Sequence, residues 1–254
     1  MQLQNLTVQQ KQRCLIRDLN LQVEPGQCWV ILGQNGAGKT SLLRTLVGLH
    51  HAQQGQVYWQ NRAQSDWDLM QLARLRAYLP QGRNDAFSYS VLEAVISALP
   101  ANQSSAYWDS VADIDSAQAA LQAFDVGHLA QRDVRGLSGG ERQRVALAAL
   151  LAQDADYLLL DEPLNALDVA HQIAVIKVLH QQRALNKAII MVSHDLNLSY
   201  PLATHALLLL NEGGWLAGTA EAMFSAENLS ACLGHPIQLV QVEGKTLFIP
   251  RDLV

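Results

Sequence analysis

The run Gly33-Gln34-Asn35-Gly36-Ala37-Gly38-Lys39-Thr40 ends in a lysine and a hydroxyl. Glycines at this spacing let a backbone wrap a phosphate closely with its N–H groups inward. The helix that follows turns the positive end of its dipole on the same anion. In such a loop Lys39 reaches the β- and γ-phosphates and the Thr40 hydroxyl ligates Mg²⁺. The pattern G-x-x-x-x-G-K-[ST] is met without a mismatch, and it arises by chance in about one chain of this length in a hundred. The bland alternative is a glycine-rich turn. The flanks argue against it: the apolar strand Cys28 to Leu32 precedes the run, and a helix with Leu42, Leu43, Leu46 and Val47 on one side follows, ending near Gly48.

Two further stretches carry chemistry. Tyr157-Leu-Leu-Leu-Asp161-Glu162 is an apolar strand ending in two carboxylates. Asp161 is placed to hold Mg²⁺ through its water shell, and Glu162 to polarise an attacking water. Alone, the pair would be read equally well as a solvated acidic turn before Pro163. Leu137-Ser-Gly-Gly-Glu-Arg-Gln143 contains Ser138 and Glu141 at capping-box spacing, opening a helix predicted over Arg142 to Gln153. A cap does not need Gly139 and Gly140, which cost helix stability. They let a phosphate approach a second helix end.

These residues need a scaffold, and the composition supplies one. The 254 residues suit one large domain or two small lobes at roughly 150 residues per domain. With 49% hydrophobic and 16% charged residues, the chain is neither disordered nor fibrous. A net charge of -5 offers no basic field to nucleic acid or anionic lipid, so no nucleic-acid partner is expected. Cys14, Cys28 and Cys232 are too far apart for a disulfide framework or metal knuckle. No basic-then-apolar leader follows Met1, which predicts a chain that is not secreted. No apolar run approaches the ~20 residues of a membrane span.

Strands are expected around Leu3, Leu6 and Val8, through Leu19, Leu21 and Val23, and at Gln56 to Trp59. From about Val91 to Gln131 the pattern turns helical, interrupted by a loop at Pro100 to Ser105. Alternation then resumes with a strand at Leu158 to Leu160, a helix at Val169 to Leu179 and a strand at Ile189 to Val192. Ala206 to Leu210 with Trp215 to Ala217 predicts a hairpin, and Ile237 to Val242 with Thr246 to Ile249 a second. A helical insertion inside an α/β core suggests one nucleotide domain with two lobes.

LSGGERQ resembles the signature of ATP-binding-cassette (ABC) ATPases. The phosphate loop, Gln81, LSGGERQ, LLLDEP, Ala166-Leu-Asp168 and His194 follow in that family's order over essentially the whole chain. The resemblance implies an α/β fold: a RecA-like P-loop NTPase core with an N-terminal antiparallel β lobe and an inserted α-helical lobe. Residues 1–86 and 136–220 would form the core with its β lobe, 87–135 the helical lobe and 221–254 a small C-terminal extension. It implies a homodimer in which ATP, with Mg²⁺ and no other cofactor, lies between Gly33–Ser41 of one copy and Ser138, Gly139, Gly140 and Glu141 of the other. Glu162 would be the general base. Gln81 would touch Mg²⁺ and the attacking water, alongside Thr40 and Asp161 as metal residues. Asp168 would cross the dimer seam and His194 would hydrogen-bond the γ-phosphate.

Ser193-His194-Asp-Leu-Asn-Leu198 and Leu167-Asp-Val-Ala-His-Gln172 are similar to ATPases of importers for cobalamin, ferric siderophores and haem, the latter segment closest to the cobalamin group. That implies two transmembrane permease subunits, a periplasmic or lipoprotein substrate-binding protein acting indirectly, and a peripheral place on the cytoplasmic face of the inner membrane. A permease groove is expected after Gln81, around Phe87 and Tyr89. The alternative is a soluble cassette serving iron–sulfur cluster assembly. Two departures stand out. Val8 to Arg13 holds no aromatic residue to stack on adenine, which implies modest affinity and loose base choice; Thr40-Ser41 reverses the commoner order of hydroxyls, and either can bind Mg²⁺.

Overall fold

Apolar residues set in a polar frame build β1 (Gln2–Gln10) and β2 (Arg13–Gln22), which pair antiparallel. The computed structural model describes residues 1–82, 88–99 and 111–251. β3 (Cys28–Gly33) is buried at every position and leads through the glycine-rich turn into α1 (Lys39–Leu46). β4 (Gln54–Trp59) and β5 (Arg62–Ala63) return to β1, giving an antiparallel sheet in the order β2-β1-β4-β5. α2 (Leu69–Leu75) runs directly into β6 (Arg76–Leu79). α3 (Val91–Ile96) and α4 (Val111–Ala123) precede α5 (Gly139–Ala152). Then come β7 (Tyr157–Asp161), α6 (Val169–Ala184), β8 (Ala188–Val192), the single-turn α7 (Leu196–Ser199), β9 (His205–Leu209) and β10 (Trp215–Thr219). The chain closes with α8 (Ala220–Met223), α9 (Ala226–Leu233) and the hairpin β11 (Ile237–Val242) and β12 (Lys245–Pro250).

The second sheet has the order β10-β9-β3-β8-β7-β6. Five strands are parallel, and β10 joins antiparallel to β9. A parallel sheet must be covered on both faces, and the alternation of β3 shows how. Cys28, Val30 and Leu32 enter one apolar core with α3, α4, α5 and the C-terminal elements, while Trp29 and Ile31 enter another with α1 and the antiparallel sheet. Each wholly buried aliphatic side chain contributes roughly 1.5–3 kcal/mol, so the sheet is held rigid from both sides. The phosphate loop leaves its central strand, and Asp161 ends a strand two places away.

The expected α/β class, the antiparallel strands and both hairpins are present. Three expectations change. The helical stretch does not run to Gln131: α4 stops at Ala123, Asp125 takes a left-handed φ of 53°, and Gly127–Leu129 is a single 3₁₀ turn. α5 starts at Gly139 rather than Arg142, because the Ser138 cap admits both glycines into the first turn. The segment before Gln81 is α2 and β6, where no element was expected. The loop at Pro100 to Ser105 lies outside the described residues. Among the described residues no helix is long and apolar enough to cross a membrane.

Candidate nucleotide-binding site

The loop around Gly33 is shaped by positions that only glycine fills comfortably. Gly36 and Gly38 have φ of 79° and 105°. A Cβ on Gly38 would stand 2.9 Å from the Cβ of Leu15 on β2. Gly38 therefore lets the loop lie on the antiparallel sheet, and it caps α1 without any side-chain hydrogen bond. Asn35 and Gly36 are exposed, Gln34 accepts the Ala37 N–H at 3.1 Å, and Ala37 is buried. Lys39 is buried, and its Nζ donates to the carbonyls of Gly33 at 2.8 Å and Gln34 at 3.0 Å. Burial pulls its pKa down, while Glu162, Cys232 and Asp161 push it back up. Ser41 is half-buried, and its carbonyl accepts the Thr45 hydroxyl.

Thr40 Oγ1 donates to Asp161 Oδ1 at 3.2 Å. Asp161 is 1% exposed, and its Oδ2 is buried with no hydrogen-bond partner. Such orphaned oxygens are uncommon. Burial raises the Asp161 pKa; the Thr40 hydroxyl lowers it. A hard cation that takes oxygen ligands and shares them with phosphate fits this orphan and the adjacent hydroxyl. Among the described residues no cluster of three His, Cys, Asp or Glu side chains forms a separate metal cage.

Glu162 has a left-handed φ of 54°, sparsely populated for a side-chain-bearing residue. Its carboxylate collects three partners. Gln81 Nε2 donates to Oε2 at 2.9 Å, His194 Nε2 lies 2.8 Å from Oε1, and Asn165 Nδ2 donates to Oε2. The sequence reading had Gln81, Glu162 and His194 but missed Asn165, whose three-residue offset from Glu162 was the available signal. Gln143 of the LSGGERQ run donates to the Pro163 carbonyl at 2.9 Å and Gln172 to that of Leu164 at 3.3 Å. The loop carrying Glu162 is therefore tied to α5 and α6.

Ser138 and Glu141 form a complete capping box. Glu141 Oε2 accepts the Ser138 N–H at 2.7 Å, and Ser138 Oγ accepts the Glu141 N–H at 3.3 Å. A Cβ on Gly140 would stand 3.1 Å from the Ala166 carbonyl oxygen, and one on Gly139 3.8 Å from the Ala166 Cβ. Room for a phosphate is thus not the sole reason for these glycines, since Gly140 also seats the loop that ends at Asp168. Ala166 itself has φ 62°. Asp168 is exposed and caps α6, accepting the His171 N–H at 2.9 Å with His171 Nδ1 at 2.7 Å. The His171 amide, then its ring, holds the Asp168 carboxyl below its usual pKa. The structure brings Lys39, Thr40, Asp161, Glu162, Gln81 and His194 together. Ser138 and Glu141 bond each other, and Glu141 also meets Arg132 at 3.5 Å. Phe87 lies outside the described residues, and Tyr89 is half-buried against the main core, its carbonyl accepting the Val134 N–H.

Comparison with known proteins identifies the family. The ABC transporter family profile matches residues 16–165. The chain is 37% identical over 257 residues to the hemin import ATP-binding protein HmuV of Pseudomonas fluorescens, covering 97% of this chain and 98% of that protein. It is 36% identical over 217 residues to the petrobactin import ATP-binding protein FpuD of Bacillus anthracis, covering 85% and 80%. Among solved structures, an ABC transporter described as of metal-chelate type, in an inward-facing conformation, superposes with a TM-score of 0.81 at 28% identity, covering 100% of this chain and 98% of that one. This chain belongs to the ABC transporter family, as an ATP-hydrolysing, ATP-binding subunit.

Proposed function

We propose that the chain powers an importer of a metal chelate, hydrolysing ATP as a homodimer on two transmembrane permease subunits. The observation that carries the catalytic part is the Glu162 carboxylate held by Gln81, Asn165 and His194 beside the Thr40–Asp161 pair. ATP would place its phosphates on the N–H groups of Gly33–Ser41, with Lys39 on the β- and γ-phosphates. Thr40 and Asp161, with Gln81 in the outer shell, would hold Mg²⁺, which when bound neutralises phosphate charge. Glu162 would accept the proton of the attacking water. His194, now on Glu162, would hydrogen-bond the γ-phosphate.

In this reading Ser138, Gly139 and Gly140 of the second copy, with Glu141 behind them, complete the site across a seam that Asp168 crosses. ATP drives transport only by its greater affinity for the closed dimer, and hydrolysis removes that preference. The cargo class is supported by the hemin and petrobactin relatives and the metal-chelate-type neighbour, and cobalamin falls in the same class. Permease docking after Gln81, a substrate-binding protein acting through the permeases, and a peripheral position on the cytoplasmic face of the inner membrane belong to the same proposal. The test is co-expression with candidate permease subunits, followed by uptake in vesicles. ATP-dependent uptake of haem, a ferric siderophore or cobalamin supports the reading. A chain that purifies free of membrane subunits and drives no uptake overturns it and favours the assembly-type cassette.

A further inference from the structure

We propose that Asn197 is a positioning residue for hydrolysis, clamping the C-terminal hairpin onto the short helix behind His194 and thereby holding the histidine against Glu162. The inference rests on the ATPase reading above. Asp195 caps α7 by accepting the Leu198 N–H at 2.9 Å, and its own N–H donates to Ser193 Oγ at 3.1 Å. Those bonds fix the helix relative to the residues on either side of His194. They are local; beyond the apolar packing of Leu196, Leu198 and Tyr200, the helix needs a directional anchor to the hairpin.

Asn197 supplies that anchor. Its Oδ1 accepts the Phe248 N–H at 2.8 Å, and its Nδ2 donates to the Phe248 carbonyl at 3.2 Å. One side-chain amide thus satisfies both backbone groups of one residue on the edge strand β12, as a neighbouring strand would. The Phe248 ring is 4% exposed and meets Tyr200 at 5.1 Å and Phe224 at 5.4 Å, while Tyr200 and Phe224 lie 4.9 Å apart. The aromatic trio makes the hairpin a fixed wall rather than a loose flap.

That wall faces the chemistry. A cleft of about 560 Å³ separates the hairpin from the catalytic loop, with Glu162, Asn165 and His194 on one side and Ile237, Phe248 and Pro250 on the other. Asn197 lines the same cleft. Without the clamp, the hydrogen-bonded tie between α7 and β12 is lost, and a small shift of α7 toward this space would carry His194 with it. Misplacement of a catalytic group by about 1 Å can cost on the order of 10²-fold in rate.

The experiment compares Asn197→Ala and Asn197→Asp with wild type in steady-state ATP hydrolysis, fluorescent-ATP binding and thermal melting. The alanine variant is expected to lower kcat about 10-fold, below the limit for a full 1 Å error, with KM and nucleotide affinity within twofold. Asn197→Asp keeps an acceptor for the Phe248 N–H but turns a carboxylate oxygen toward the Phe248 carbonyl in place of the donated N–H, so its kcat also falls. If the alanine variant melts below the assay temperature, this variant alone carries the test, and an unchanged kcat in it overturns the proposal. In a His194→Ala background Asn197→Ala lowers kcat little further, because residues acting through one another are not additive. An unchanged kcat in Asn197→Ala overturns the proposal. So does a loss of the same factor with and without His194, which a merely structural role would give. A wild-type chain that hydrolyses no ATP overturns the ATPase reading itself, and this inference with it.

Discussion

Helices α1 and α5 both begin on residues suited to an anion, and their first turns are built in opposite ways. α1 has Gly38 at its cap in a left-handed conformation, no side-chain hydrogen bond there and no acidic residue in the first turn. α5 has Ser138 and Glu141 closing each other's N–H groups and a carboxylate at the opening. Helix ends leave several donors without intrahelical partners. In α1 those donors are left for a ligand and reinforced by the buried ammonium of Lys39. In α5 the box takes those of Ser138 and Glu141, leaving the N–H groups of Gly139 and Gly140. In the proposed function one helix would bind phosphate alone, and the other would add to a phosphate already held.

The largest effect expected lies beside α1. Glu162→Gln should slow hydrolysis by about 10²–10⁴-fold while ATP binding, measured by equilibrium titration, persists. Near-normal turnover would remove Glu162 from the role of base. Lys39→Ala should weaken ATP binding by roughly 10- to 100-fold, since hydrogen bonds to charged groups contribute about 1.5–3 kcal/mol. The matching change at the other helix, Ser138→Ala, should leave ATP binding by a monomer unaltered. Equal losses of affinity would erase the distinction between the two ends.

Glycine substitutions sharpen the same contrast. At Gly38 an alanine meets both the left-handed backbone and Leu15, and the backbone alone costs about 1–2 kcal/mol. At Gly140 the Ala166 carbonyl must yield a few tenths of an ångström, and the better helix propensity of alanine offsets part of that. Thermal melting should therefore show a clear drop for Gly38→Ala and a smaller one for Gly140→Ala. The smallest effect belongs to the capping box. Ser138→Ala should cost about 1 kcal/mol. The backbone N–H of Ser138, then its hydroxyl, holds the Glu141 carboxyl below its ordinary pKa of 4.5. A depressed carboxylate stabilises the fold above the unfolded pKa, and the gain is lost as pH falls through the folded one. The melting difference between wild type and Glu141→Gln should be full at pH 7 and shrink below about pH 4.5. A difference that grows in acid would contradict the bond's direction.

How far these features were legible depended on whether their signal was local. Gly33 to Thr40 and Ser138 to Glu141 carry their geometry in consecutive residues, so both loops and the capping box could be read directly. Cys28 to Leu32 announced a strand covered on both faces. α2 and β6 could not be read, because Leu75 passes straight into Arg76 with no turn residue to mark the change. α8 and α9 do carry a local signal, since Thr219 and Ser225 accept N–H groups three residues on, as helix caps do. Asn197 was illegible as an anchor, since the residue it holds is brought to it by tertiary packing from 51 residues away, whereas Asn165 holds Glu162 from only three residues on. Gly140 was read for a ligand, and its contact with the Ala166 carbonyl needed the folded chain.

The account stands on one ATP being shared by α1 of one copy and α5 of another. Sedimentation of Glu162→Gln with and without MgATP tests this most directly. The expected result is a monomer without nucleotide, a dimer with it, and no dimer when Ser138→Arg is added. A Glu162→Gln protein that binds ATP yet sediments only as a monomer would contradict the shared site.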